Sequence, residues 1–126
     1  MLEVEVIGAS ELPVETVERL SAVALASAGV ADGHVAIEFV GSERIAELNA
    51  RHRGADGPTD VLSFPVDADG HAPGARELGD VVICPEHTVD VREAVVHGIL
   101  HLVGMDHEAD EGEMLALQAE IVSWVL

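Results

Sequence analysis

His97 and His101 stand four residues apart in a helix-compatible run from Val91 to Val103, and Gly104 follows that run directly. Side chains four apart on a helix leave the same face one turn apart, so the two imidazoles project together. That pair alone would also suit a solvated surface. Glycine, however, can take the left-handed backbone that closes a helix and turns the chain back. The turn gives His107 a short path to the same point. Three imidazoles converging on one cation suit zinc, and three protein ligands leave a fourth position open for water. An open position implies chemistry rather than scaffolding, because zinc lowers the pKa of bound water toward about 7. The chain is thereby held to folds in which a helix and the bend behind it present a metal site at the helix end.

The elements around that helix follow from local pattern. Leu2, Val4 and Val6 alternate with Glu3 and Glu5, the period of a half-buried strand ending at Gly8. Pro13 suits a first helical turn, and Val14, Val17, Leu20 and Ala24 recur at helical spacing until Gly29, which predicts a helix over about residues 13 to 28. Val35, Ile37 and Phe39 mark a second strand, after which Ser42 is placed to cap a short helix carrying Ile45 and Leu48. Arg53 to Thr59 is loop chemistry, Val61-Leu62-Ser63-Phe64 reads as a strand closed by Pro65, and a second polar loop runs from Asp67 to Ala75. Val81-Val82-Ile83-Cys84 is a continuous apolar run, as expected of a central strand buried on both faces. Asp90 with Glu93, and Asp110 with Glu113, have capping-box spacing ahead of two helices; the second aligns Met114, Leu117, Ile121 and Trp124, with Trp124 read as a core anchor. No repeat or linker interrupts the series, which predicts one α+β domain over residues 1–126.

Composition narrows the classes of function. A chain of 126 residues fits one core and one active site. Its apolar residues, 48% of the total, fall in short clusters, and no run approaches the roughly 20 needed to span a membrane. The start lacks the basic and apolar segments of a signal peptide, which points to the cytoplasm. The lone cysteine, Cys84, lies among Val81, Val82 and Ile83 and reads as a buried, inert thiol. There are 24 acidic residues against 6 basic ones, all six arginine, for a formal net charge of −18. A generic nucleic-acid binder carries a basic stripe, so tight nonspecific binding is disfavoured and no DNA partner is expected. Screening over about 8 Å still lets a local basic spot act, and the spot here is Arg51-His52-Arg53. His34, His52, His71 and His87 have no partner pattern and read as surface or loop histidines, with His52 set apart by its two arginine neighbours.

The segment His97-Gly98-Ile99-Leu100-His101-Leu102-Val103-Gly104-Met105-Asp106-His107 has the histidine and glycine spacing of the metzincin zinc proteases. Those enzymes carry a general-base glutamate after the first histidine, where this chain has Gly98, so a protease is disfavoured. The segment also resembles the HGxLHLxGxDH signature of the YbeY family of single-strand endoribonucleases, with every fixed position matched. Two further blocks are similar to that family: Leu48-Asn49, Arg53 and Pro58 to Pro65, and Leu78-Gly79-Asp80-Val81-Val82-Ile83-Cys84. Together the matches run over residues 39 to 125.

The resemblance implies a zincin-like fold, a small mixed sheet packed with helices, with one zinc ion held by His97, His101 and His107. It implies cleavage of single-stranded RNA in rRNA maturation and ribosome quality control, with the small ribosomal subunit as partner and no membrane. It makes Arg53 the catalytic residue, whose guanidinium offers a phosphate a two-pronged contact. Asp106 either orients a ligating imidazole or caps the turn, and Ser63 either touches substrate or bonds to backbone. Two other readings stay open: a ribosome-assembly binding module with a structural zinc, and a metal-dependent hydrolase of small esters or nucleotides.

Overall fold

The computed structural model describes residues 2–66, 77–105 and 110–125. Strand β1 (Leu2–Ile7) alternates half-buried apolar residues with exposed acidic ones, and helix α1 (Val14–Ser27) starts behind Pro13. The chain continues through β2 (Gly33–Phe39), α2 (Ser42–Arg53), β3 (Val61–Pro65), β4 (Glu77–Ile83), a 3-10 turn at Pro85–His87, α3 (Val91–Leu102) and α4 (Glu113–Val125). The strand order is β1-β2-β4-β3. The first three of these neighbours run parallel, with Val6 opposite Ile37 and Ile37 opposite Val81, while β3 lies antiparallel to β4 with Leu62 opposite Val82. This is the small mixed sheet and helix set expected of an α+β chain, and the apolar run of β4 takes an interior place. The edge position of β3 is compatible with Pro65, which has no N–H to give to a ladder.

The two faces of the sheet are covered unequally. Val35, Ile37, Phe39, Val81 and Ile83 pack against α1, α3 and α4, with Leu20, Leu25, Val95, Ile99, Met114 and Ile121 completing the main core. On the other face a smaller cluster of Ile45, Leu62, Val82 and Cys84 lies under α2. Cys84 is fully buried, as its neighbours foretold. α3 is the central helix: it packs on both β3 and β4, and on α1 and α4.

Gly98 explains how α3 lies so close. A Cβ at that position would overlap the Val81 side chain and stand 3.1 Å from Val61 Cγ2. The position after His97 therefore faces the sheet, and a glutamate there would have no room.

Local signals account for the helix ends, with two corrections. Asp90 caps α3 by accepting the Arg92 N–H at 2.9 Å, and its carboxyl is held below the usual range first by the Arg92 side chain, which bonds it again. The Glu93 backbone N–H adds to the same cap, as the spacing of Asp90 and Glu93 foretold. Ser42 does not cap α2: Gly41 is the cap residue, and the Ser42 hydroxyl reaches His87 Nε2 at 2.7 Å instead. Trp124 is not a core anchor, being 63% exposed; Val125, four residues beyond Ile121, takes the inward place. Gly104, at φ 100°, ends α3 in a Schellman motif, with the Gly104 N–H on the His101 carbonyl and the Met105 N–H on the Leu100 carbonyl.

Candidate active-site cleft

A cavity of about 740 Å³ runs along β3 and is lined by His52, Arg53, residues 60–65, His97 and His101. Backbone parity places the strand within it. The Cys84 N–H donates to the Asp60 carbonyl and the Val66 N–H to the Leu78 carbonyl, so the main-chain groups of even-numbered β3 residues face β4. Those of Val61, Ser63 and Pro65 point to the open edge. Side chains follow the same alternation. Leu62 joins the cluster beneath α2, while the Ser63 hydroxyl donates to the Gly98 carbonyl on α3 at 2.7 Å. The cleft thus has an α2 wall, an α3 wall and a strand edge between them. The Val61 N–H is taken by Asp60 Oδ1 at 2.9 Å, which leaves the edge with the Ser63 N–H and the carbonyls of Val61, Ser63 and Pro65.

On the α3 wall His97 and His101 are half-buried, their ring centroids 4.7 Å apart and their planes at 74°. His97 Nδ1 lies 2.7 Å from Gln118 Oε1 on α4. An amide oxygen only accepts, so this amide orientation calls for the proton on Nδ1 and leaves Nε2 as the ring's electron-pair donor. Two imidazoles on adjacent turns, one with its Nε2 so arranged, fit a borderline-soft divalent cation. Among the described residues no third His, Cys, Asp or Glu joins them. His107, expected as the third ligand, and Asp106, expected beside it, lie outside the described residues, as does His71.

On the α2 wall the last turn carries Arg51, His52 and Arg53, which places two guanidinium cations at the negative end of the helix dipole. Arg51 is 3.7 Å from Glu47, whereas Arg53 makes no ion pair among the described residues. The His52 ring meets Phe64 edge-on at 4.8 Å. Behind this wall the Asn49 side-chain amide donates to the Gly57 carbonyl at 2.9 Å, tying the loop after Arg53 back to its helix. The fold thus brings His97, His101, Arg53 and Ser63 to one cleft.

Gln118, Asn49 and Asp60 were missed as contributors. Gln118 left a signal: it interrupts an apolar stripe four residues after Met114 and three before Ile121. His34, read as partnerless, is instead flanked by carboxylates, Glu77 Oε2 at 2.8 Å from Nδ1 and Glu5 Oε1 at 3.0 Å from Nε2. Glu77 first and Glu5 second raise its pKa. This arises from strand pairing, which no local pattern displays. Asp80, on the same face, is pushed up by burial first and by Glu77 next.

A mixed sheet crossed by a central helix, whose histidine pair opens on a cleft beside an edge strand, defines an α+β domain of the kind that can hold a hydrolytic metal. The family model described as endoribonuclease YbeY matches residues 9–125, and the chain belongs to the YbeY family. Endoribonuclease YbeY of Geobacillus kaustophilus is 40% identical over 132 residues, covering 87% of this chain and 85% of that protein. Endoribonuclease YbeY of Corynebacterium efficiens is 42% identical over 114 residues, covering 73% of this chain and 57% of the relative. The chain thus spans under two thirds of the Corynebacterium proteins it matches. The solution structure of TM1509 from Thermotoga maritima superposes with a TM-score of 0.57 at 29% identity, covering 97% of this chain and 88% of that one. No described helix is long and apolar enough to cross a membrane.

Proposed function

We propose that this chain is a metal-dependent endoribonuclease of single-stranded RNA, acting in the cytoplasm on ribosomal RNA and the small ribosomal subunit, with residues 1–126 forming one hydrolase domain. The observation that carries this reading is the meeting of His97, His101 and Arg53 in one open cleft. The name borne by its relatives supports the same activity. Zinc is the proposed cation, held by His97 and His101 with His107 as third ligand. Bound there, it supplies Lewis acidity and lowers the pKa of water at neutral pH.

The chain's own groups account for the rest. Arg53 holds the non-bridging oxygens of the scissile phosphodiester and stabilises the charge that grows on them. The exposed edge at Ser63 offers one N–H and flanking carbonyls to a base of the single strand. The Ser63 hydroxyl, engaged with the Gly98 carbonyl, keeps α3 seated on β3 and so maintains the distance between the walls. Asp106 either orients a ligating imidazole or caps the turn behind α3. A cleft open beside the histidines favours catalysis over a purely structural metal.

The test is cleavage of ribosomal RNA, naked and in particles, with and without chelator. Wild type loaded with zinc cuts, Arg53→Ala cuts markedly more slowly, and His101→Ala is slower still. Intact RNA with the zinc-loaded wild type would end this reading.

A further inference from the structure

Gln118 lies 21 residues from His97 in the chain and meets it only through the packing of α4 on α3. The register of α4 is set at its start, where Asp110 accepts the Gly112 N–H at 2.8 Å and the Met114 N–H at 3.0 Å. Met114, Ile121 and Val125 then point into the core, and Gln118 occupies the half-buried place between Met114 and Ile121. A leucine would suit that place by polarity. The residue present instead aims a carbonyl oxygen at His97 Nδ1, 2.7 Å away.

The direction of that bond matters. A neutral imidazole carries one N–H, and the nitrogen bearing it cannot ligate. With the amide oxygen toward the ring, the proton sits on Nδ1 and Nε2 becomes the ligating atom. With the amide turned over, its N–H would donate to Nδ1 and force the proton onto Nε2. We infer that Gln118 is a positioning residue for the metal site: by accepting from Nδ1 it sets the tautomer and ring plane of His97. This inference rests on the proposed metal reading of the cleft. It also gives α4 a part in the site without touching substrate.

The experiment compares wild type, Gln118→Leu and Gln118→Glu. Zinc affinity is measured by competition with a chromophoric chelator, and the His97 tautomer is read in metal-free protein by nitrogen NMR of the ring. The leucine variant, close in volume but lacking an acceptor, binds zinc about 10–100-fold more weakly. The glutamate variant, which keeps an oxygen at the same reach, binds at least as well as wild type. The metal-free wild type shows His97 protonated on Nδ1, and Gln118→Leu shifts the ring toward the other tautomer. Thermal unfolding without metal separates a folding defect from a binding one, and the glutamate variant keeps the test decisive if the leucine chain is unstable. Wild type that binds zinc alongside a folded leucine variant that binds equally well overturns the role of Gln118 alone, as does an Nε2–H tautomer in wild type. Wild type that takes up no zinc overturns the metal reading itself.

Discussion

On the α3 wall of the cleft His97 and His101 are half-buried, and their helix is pressed onto the sheet through Gly98, stitched to β3 by Ser63 and reached by Gln118 from α4. On the α2 wall His52 and Arg53 are exposed at a helix end, and the loop behind them is tied by Asn49. Metal ligation needs bond lengths held to a few tenths of an ångström, so it is set where packing leaves side chains little freedom. Phosphate capture tolerates a long, solvated arginine that closes on the ligand as it arrives. On the proposed reading the two walls divide the work between a pre-organised partner and an adaptable one.

The largest effect should come from breaking the rigid wall at a proposed ligand. His101→Ala should remove zinc uptake and lower RNA cleavage on the order of a thousandfold, since several kcal/mol of transition-state stabilisation depend on the cation. Elemental analysis and initial cleavage rates check it together. On the adaptable wall, Arg53→Ala should slow cleavage by about 10–100-fold, the equivalent of about 1.5–3 kcal/mol for a charged hydrogen bond, and leave zinc affinity and melting temperature alone. Arg53→Lys should recover only part of the rate, because an ammonium lacks the planar fork.

Gly98→Ala tests the seating of α3. The added methyl meets Val81, fully buried in the core, and the half-buried Val61 packed beside it, so stability should fall by about 1–3 kcal/mol in denaturant titrations. If the variant is as stable as wild type, the close contact does not govern the wall. Ser63→Ala removes one donor from the Gly98 carbonyl and should cost about 0.5–1.5 kcal/mol in the same titration, with a smaller loss of activity than Arg53→Ala.

The smallest expected effect lies outside both walls. The folded-state pKa of His34 is raised, first by Glu77 and then by Glu5, with Asp80 on the same sheet face. A raised histidine pKa gives stability that is full below the unfolded value of about 6.5 and is lost as pH rises through the folded value. Wild type should therefore hold an advantage over His34→Gln at mildly acidic pH that fades toward alkaline pH, read as the difference in melting temperature across a pH series. Zinc affinity should not change with this substitution; if it did, the separation of this face from the cleft would fail.

Much of the architecture was legible in order of residues. The alternation in β1, the spacing in α1, the apolar run of β4 and the Gly104 stop all appeared where expected, because each is a property of neighbours within a turn or a strand. Ser42 and Trp124 misled for the complementary reason. A serine one position late is drawn to His87 across the fold, and a tryptophan three residues from Ile121 falls just off the inward stripe.

What the amino-acid order determined alone was the pair His97 and His101 on one helical face and the bend behind them, since a four-residue period and one glycine suffice. The tertiary structure decided that Gly98 faces Val81, that Gln118 meets His97, and that Arg53 shares a cleft with the histidines. Those contacts depend on strand order and on how closely helices approach the sheet. Such distances are set by the volumes of residues far apart in the chain, and no short window of sequence contains them.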